Sequence, residues 1–351
     1  MNSDHARASP RILVIRRDNI GDLVCTTPLI AALRRRYPAA WIGALVNSYN
    51  APVLEGNPDL SAVIAYRKLK HLGEGESALA ALRTRLADLW RLRRMRLDCA
   101  LIATTDFNAR TVRLARWLAP ARLLGFSDGS DRARCLDLSE PLSKVAGRHE
   151  VERVFALGAH LGVLGEIPPL RVVPDPGEVA KAVACMGVAR PRVAVHVSAR
   201  RPAQRWPAER FAALIERLHA AANAVPVLLW SPGPSDYPQH PGDDDKAEEI
   251  KLRLGGRTPL VDYRTEQLRE LIGALAACDL AICADGGALH LAAALGKPVV
   301  CLFGDSPPER WRPWGVPQRV LRPASRDVAD IGVEDVLRAF LELRAECAVR
   351  H

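Results

Sequence analysis

At 351 residues the chain is longer than one hydrophobic core usually covers, so two domains are expected. Apolar residues at 48% and charged residues at 25% exclude a disordered or fibrous chain, and no run of about 18 apolar residues supplies a transmembrane helix. The formal charge is +9, and it is concentrated: residues 1–170 hold 25 Lys/Arg against 17 Asp/Glu, a net +8, and the remainder carries +1.

A basic N-terminal half attracts anions, whether nucleic acid, an acidic membrane surface or a phosphorylated ligand. Nucleic acid is the weakest of these, with aromatics at 5% and no zinc-finger or RNA-recognition motif. The eight cysteines are scattered without a Cys-x-x-Cys pair. That favours reduced, mostly buried thiols over zinc ligands or disulfides. Residues 1–10 lack the apolar core of a signal peptide, so a cytoplasmic protein is expected.

In chain order, residues 11–15 read as a β-branched strand, followed by a glycine turn and a helix over 23–37 closed by Pro38. Strands follow at 41–46, 62–66 and 99–103. Between the last two, residues 79–97 carry Arg83, Arg85, Arg91, Arg93, Arg94 and Arg96 against Asp88. Leu79, Leu82, Leu86 and Leu89 recur there at helical spacing, which predicts one face on a core with arginine edges toward anions. A solvated surface helix is the plain alternative. Four prolines in 167–177 mark an interdomain linker. Strands then recur at 193–197, 225–230, 280–283 and 299–303, with helices between them. Residues 231–245 read as a loop. The alternation predicts an α/β protein: two Rossmann-like domains with parallel sheets, 1–172 and 177–325, facing a ligand cleft.

Three constellations carry chemistry. In R-R-D-N-I-G-D-L-V, residues 16–24, Asp22 stands at a helix mouth after a strand. It is placed there to take a proton from a bound hydroxyl, or simply to cap the helix. Arg16, Asp18, Asn19 and Gly21 surround it and are candidate ligand-binding residues, with Asp106, Asn108 and Arg110 beyond the strand at 99–103. In D-G-G-A-L-H, residues 285–290, Gly286 and Gly287 open a helix whose amides suit a diphosphate. The pattern is not G-x-G-x-x-G, which disfavours a nicotinamide dinucleotide. His290 is a donor-side candidate or an ordinary packed histidine. In residues 196–211, Ser198, Arg200, Arg201 and Arg205 follow another strand end and would neutralise a leaving diphosphate. Surface arginines in a loop are the alternative.

Together these blocks resemble the bacterial lipopolysaccharide heptosyltransferases, glycosyltransferase family nine. The resemblance is carried by residues 11–38, H-E-V-E-R at 149–153, R-W-P at 205–207, the stretch 285–304 and E-R-W-R-P-W-G at 309–315. It implies a GT-B fold, with acceptor bound by the first domain and nucleotide sugar, typically ADP-heptose, by the second. A C-terminal helix near 333–347 would complete the first domain. It also implies inversion without a metal or other cofactor, and Asp22 as general base. Asp285 would hold the donor sugar's hydroxyls, and Gly286, Gly287 and Ala288 the diphosphate. Asp243 would meet the ribose, and the backbone near Thr265 and Glu266 the adenine. Two positions depart from the family pattern: Gln204 stands where a phosphate-binding lysine is usual, and Gly286 where Ser or Thr is usual. The implied partners are a nucleotide-sugar donor and a phosphorylated glycolipid acceptor at the inner membrane surface, with no nucleic acid. The oligomeric state is not readable. Another nucleotide sugar or a different acceptor is an alternative, and so is a non-catalytic paralogue that binds nucleotide or glycolipid.

Overall fold

The structure is a computed structural model that describes residues 9–66, 78–236 and 242–349. The chain divides into two compact units, Met1–Arg171 and Val172–His351. The proline-rich 167–177 stretch spans that division.

The first unit runs β1 (Arg11–Arg16), α1 (Ile20–Val24), α2 (Thr27–Arg36), β2 (Trp41–Asn47), β3 (Ala62–Tyr66), α3 (Ala78–Arg94), β4 (Cys99–Ile102), α4 (Ala109–Trp117), β5 (Arg122–Ser127), β6 (Leu138–Pro141) and α5 (Glu150–Ala156). Its six strands are all parallel, in the order β3-β2-β1-β4-β5-β6. The second unit runs α6 (Pro176–Met186), β7 (Arg192–His196), α7 (Ala208–Ala222), β8 (Val225–Trp230), α8 (Asp244–Leu254), β9 (Val261–Arg264), α9 (Leu268–Ala277), β10 (Leu280–Ala284), α10 (Gly287–Ala294), β11 (Val299–Leu302), α11 (Pro308–Trp311), β12 (Gln318–Leu321) and α12 (Val333–Val349). Its order is β12-β11-β10-β7-β8-β9, again all parallel.

Each sheet therefore repeats one plan. The first and fourth strands of the unit are neighbours, β1 beside β4 and β7 beside β10, and chain order reverses at that pair. Such a switch point leaves a crevice outside the carboxyl ends of the strands, the usual ligand position in this fold. The central strands are covered by helices on both faces, so they read as continuous apolar runs: Ile12 to Ile15 are all buried, as are Val193 to Val195.

Several expectations change. The helix over 23–37 is two helices, because Pro28 fits the first turn of α2 but not a helix interior. Strands β5, β6, β9 and β12 add to those that the sequence pattern predicts. Three of them are edge or near-edge strands with half-buried, polar sequences such as L-S-E-P and V-D-Y-R. α8 begins at Asp244, so the end of the expected 231–245 loop is a helical turn whose Asp244 and Asp245 complement the macrodipole. In α3 the core face is turned from the leucine stripe: Leu89 and Leu92 are buried, while Leu79 and Leu86 lie open. Finally, α12 falls within the second unit. Val336, Leu337, Phe340 and Leu343 pack into the second unit's core with α7 residues such as Phe211 and Leu214. Of the eight cysteines, none forms a disulfide, and Cys185 alone is exposed.

Candidate functional site

In the first unit the site is built on Arg16, the last residue of β1. It is 1% exposed, and its guanidinium meets three carboxylates. Nε donates to Asp18 Oδ1 at 2.8 Å, and Nη2 donates to Asp22 Oδ1 at 2.5 Å and to Glu150 Oε1 at 2.9 Å. Nη1 donates to the carbonyl of Ala103, just past β4. One side chain thus stitches both switch-point strands to α1 and α5.

Asp22 is the third residue of α1, and its Oδ2 accepts from Asn19 Nδ2 at 2.8 Å and from the Asn19 amide at 3.2 Å. It does cap the helix, in a reciprocal box with Asn19. The two capping bonds fill the lone pairs of Oδ2, while Oδ1 accepts from Arg16 and keeps one lone pair for a further donor. Its side chain is 12% exposed. Burial pushes this carboxyl up, but Arg16 and the Asn19 hydrogen bonds outweigh it and hold it below the usual carboxylate range. Asp18, also on Arg16, goes the other way: burial and the charge of Asp22 carry it to about 6 against the pull of Arg16. The turn beneath is pinned by Asn47, which donates to the Arg17 carbonyl at 2.9 Å, and by Asn50 and Tyr49, which donate to the Asp18 carbonyl. Gly21 is buried within α1. Asp106 and Arg110 lie exposed after β4. Asn108 caps α4 by accepting from the amides of Arg110 and Thr111, each at 3.1 Å.

In the second unit the corresponding switch point holds Gln204 and Asp285. Gln204 closes a 3-10 turn, Pro202–Gln204, after β7 and is buried. Its Nε2 donates to Asp285 Oδ2 at 2.9 Å and to Ser306 Oγ at 2.8 Å. It thereby fixes the carboxylate at the end of β10 from below. Gly286 follows with open space where a Cβ would project, and Gly287 and Ala288 start α10. The first amides of a helix have no intrahelical partner and favour anions.

The arginines part company. Arg200 is exposed, and Arg201 pairs with Asp305 at 3.4 Å on the surface. Arg205 turns inward to Asp243 at 2.5 Å, and Asp243 is fully buried. Ser198 supports this pair: it hydrogen-bonds Asp243 and accepts from the Ser231 amide at 2.9 Å. Arg205 and Asp243 therefore pair with each other in the loops that follow β7 and β8, with a quarter of the Arg205 side chain left exposed. Lys246 lies alongside, with Nζ donating to the Val197 carbonyl at 3.2 Å and sitting 5.2 Å from the Phe211 ring centre. Burial lowers it to about 8. His290 is buried and packs edge-to-face on Trp311, the packed-histidine alternative. Glu266 is exposed, and its amide and that of Gln267 are taken by Glu270 Oε2 at 2.7 and 3.0 Å. The Thr265 hydroxyl is bound to the Trp230 carbonyl. An adenine at this edge would not find those two amides.

Residues 85–338 match the model of glycosyltransferase family 9, the heptosyltransferases. The chain belongs to glycosyltransferase family 9. It is 28% identical over 328 residues to lipopolysaccharide heptosyltransferase 2 of Salmonella typhimurium, covering 89% of this chain and 88% of that one. A family 9 glycosyltransferase structure from Veillonella parvula superposes with a TM-score of 0.81 at 22% identity, over 98% of this chain and 100% of that chain. The structure of Escherichia coli ADP-heptose lipopolysaccharide heptosyltransferase II gives 0.75 at 23%, over 96% and 99%. The protein is thus a family 9 glycosyltransferase with two Rossmann-like α/β units of the GT-B class. For this family 9 chain, sequence reasoning missed Glu150, Asn47, Asn50, Ser306 and Lys246. Glu150 had a signal, since H-E-V-E-R was recognised as a block, but its partner Arg16 lies 134 residues away.

Proposed function

We propose that this glycosyltransferase transfers heptose from ADP-heptose to a sugar hydroxyl of the lipopolysaccharide inner core, with inversion and without a metal. The observation that carries the reading is Asp22. Its carboxyl is mostly buried, held below the usual carboxylate range by Arg16 and Asn19, and set at the switch point of the first sheet. In this reading residues 1–172 present the acceptor and 177–325 the donor. An Asp22 oxygen takes the proton of the acceptor's hydroxyl while the hydroxyl oxygen attacks the anomeric carbon. The bond from the anomeric carbon to the diphosphate breaks on the opposite face, and its electron pair leaves with ADP. The amides at 286–288, with Arg200 and Arg201, offset the growing charge on the diphosphate. Asp285, held by Gln204, orients the donor sugar. The acceptor being a phosphorylated glycolipid, the reaction is placed at the cytoplasmic face of the inner membrane. Among the described residues no helix is long and apolar enough to cross a membrane.

The test is ADP release from ADP-heptose with and without a heptose-deficient lipopolysaccharide acceptor. Release should require acceptor and fall by roughly 10²–10⁴ in Asp22→Asn, with ADP-heptose affinity unchanged. Retained turnover removes Asp22 from the mechanism. Gln204, an uncharged amide on Asp285, favours a second reading in which another nucleotide sugar is the donor. A thermal-shift panel decides between them, because a bound donor stabilises by mass action. A larger shift with a UDP- or GDP-sugar supports the second.

A further inference from the structure

The helices on one face of the first sheet carry an apolar surface that the proposed reaction does not use. At about 100° per residue, Leu79, Leu86 and Trp90 of α3 project within about 40° of one another. They are 59%, 45% and 52% exposed. The same apolar arc continues around the helix to Leu89 and Leu92, which enter the core with Leu13, Ile15 and Ala100. The arc is therefore wider than the sheet it covers, and one edge is left at the surface. The surface continues onto α4: Trp117, 40% exposed, meets Trp90 edge-to-face at 5.9 Å between ring centres.

Among the described residues of α3 and α4, the exposed charged side chains are all arginines. Arg93 sits 5.3 Å over the Trp117 ring and donates to the Trp117 carbonyl. Arg83 and Arg94 lie exposed beside the arc on α3, and Arg113 lies exposed one turn before Trp117 on α4. Asp88, the acidic residue of α3, projects from the opposite side of the helix and is half-buried. A protein-binding surface normally mixes signs. Exposed indoles ringed by guanidinium groups match instead a boundary that is apolar below and anionic above.

We propose that the outer α3–α4 face seats on an anionic lipid bilayer, with Trp90 and Trp117 at the headgroup boundary and the flanking arginines on lipid phosphates. This deepens the membrane location proposed above, and it needs neither nucleotide sugar nor acceptor sugar. The experiment is sedimentation of the full-length protein with vesicles of phosphatidylcholine alone or of phosphatidylcholine mixed with phosphatidylglycerol. The protein should sediment with the mixed vesicles only, and added salt should release it. Trp90→Ala with Trp117→Ala should weaken vesicle binding at least tenfold, and Arg83→Gln or Arg94→Gln roughly fivefold each. Because all four side chains are at the surface, an unchanged melting temperature establishes that the variants are folded. ADP release with a soluble acceptor fragment should be unaltered in them, which separates failure of this proposal from failure of the transferase reading. Sedimentation with mixed vesicles that the substitutions leave unchanged overturns it. So does an absence of vesicle binding, and so does a soluble self-association that the tryptophan substitutions abolish.

Discussion

Glu150→Gln is the sharpest perturbation of the cluster around Arg16. The substitution keeps the shape of the side chain and an acceptor for Arg16 Nη2, and removes one negative charge from a fully buried position. Taking one partner from a buried pair costs about 3–5 kcal/mol when the other charge is left uncompensated. Arg16 keeps Asp18 at 2.8 Å and Asp22 at 2.5 Å, so the cost should fall to the roughly 1–3 kcal/mol of a charged hydrogen bond. For a unit of this size that lowers the melting temperature by roughly 2–12 °C. The chemistry should move in a specific direction. Glu150 helps to push the Asp18 carboxyl up, and with one fewer carboxylate Arg16 acts more fully on Asp18 and Asp22. Both should then stay ionised to lower pH. If Asp22 accepts the proton, activity is lost as pH falls through the carboxylate titration, so the acid limb of kcat/KM should shift to lower pH. Acceptor-dependent ADP release across pH, beside thermal melts, measures both. An acid limb that moves up or stays put, or a melting temperature that does not change, would refute the account of Arg16 as the shared anchor.

Three further outcomes follow from the same geometry. Asp18 titrates higher in the folded protein, at about 6, than in the unfolded chain, so the stability it contributes is complete at low pH and lost as pH rises through 6. Asp18→Asn should therefore gain on the parent protein by roughly 1–3 kcal/mol above pH 6 and not below pH 4, as denaturant melts at several pH values would show. Lys246 titrates lower when folded, at about 8, so stability should climb between pH 8 and about 10, and Lys246→Met should flatten that climb; an equal climb in the variant would contradict it. Gln204→Leu removes a donor from the Asp285 carboxylate and should lower kcat/KM for the donor roughly 10–100-fold, with the acceptor KM unmoved in steady-state kinetics.

Much of the fold was legible because buried parallel strands announce themselves. Ile12 to Ile15 and Val193 to Val195 are apolar without alternation, as strands covered on both faces must be. The edge strands β6 and β9 were silent, since half-buried residues of mixed polarity look like loops. Asp22 and Asp285 were legible because each follows a strand and opens a helix, a local pattern. What was not local was not readable. The burial of Asp243, the first of three consecutive aspartates, depends on Arg205 reaching it from another strand end. The width of the apolar arc on α3 was visible in its leucines, but how far the sheet would cover it was not. Leu92, rather than Leu79, completes the core there.

The placement of α12 has a consequence for how the protein is made. The second unit's core contains Phe340 and Leu343, so it stays unfinished until the ribosome has added the last helix. The first unit closes with Leu170 buried, and by then Glu150, the partner of Arg16, has also been synthesised. At translation speeds of roughly 5–20 residues per second, the cluster around Asp22 can assemble on the order of ten seconds or more before the second unit's core closes. During that interval the growing second sheet, rich in buried valine and leucine, is the part of the molecule that depends on protection from aggregation.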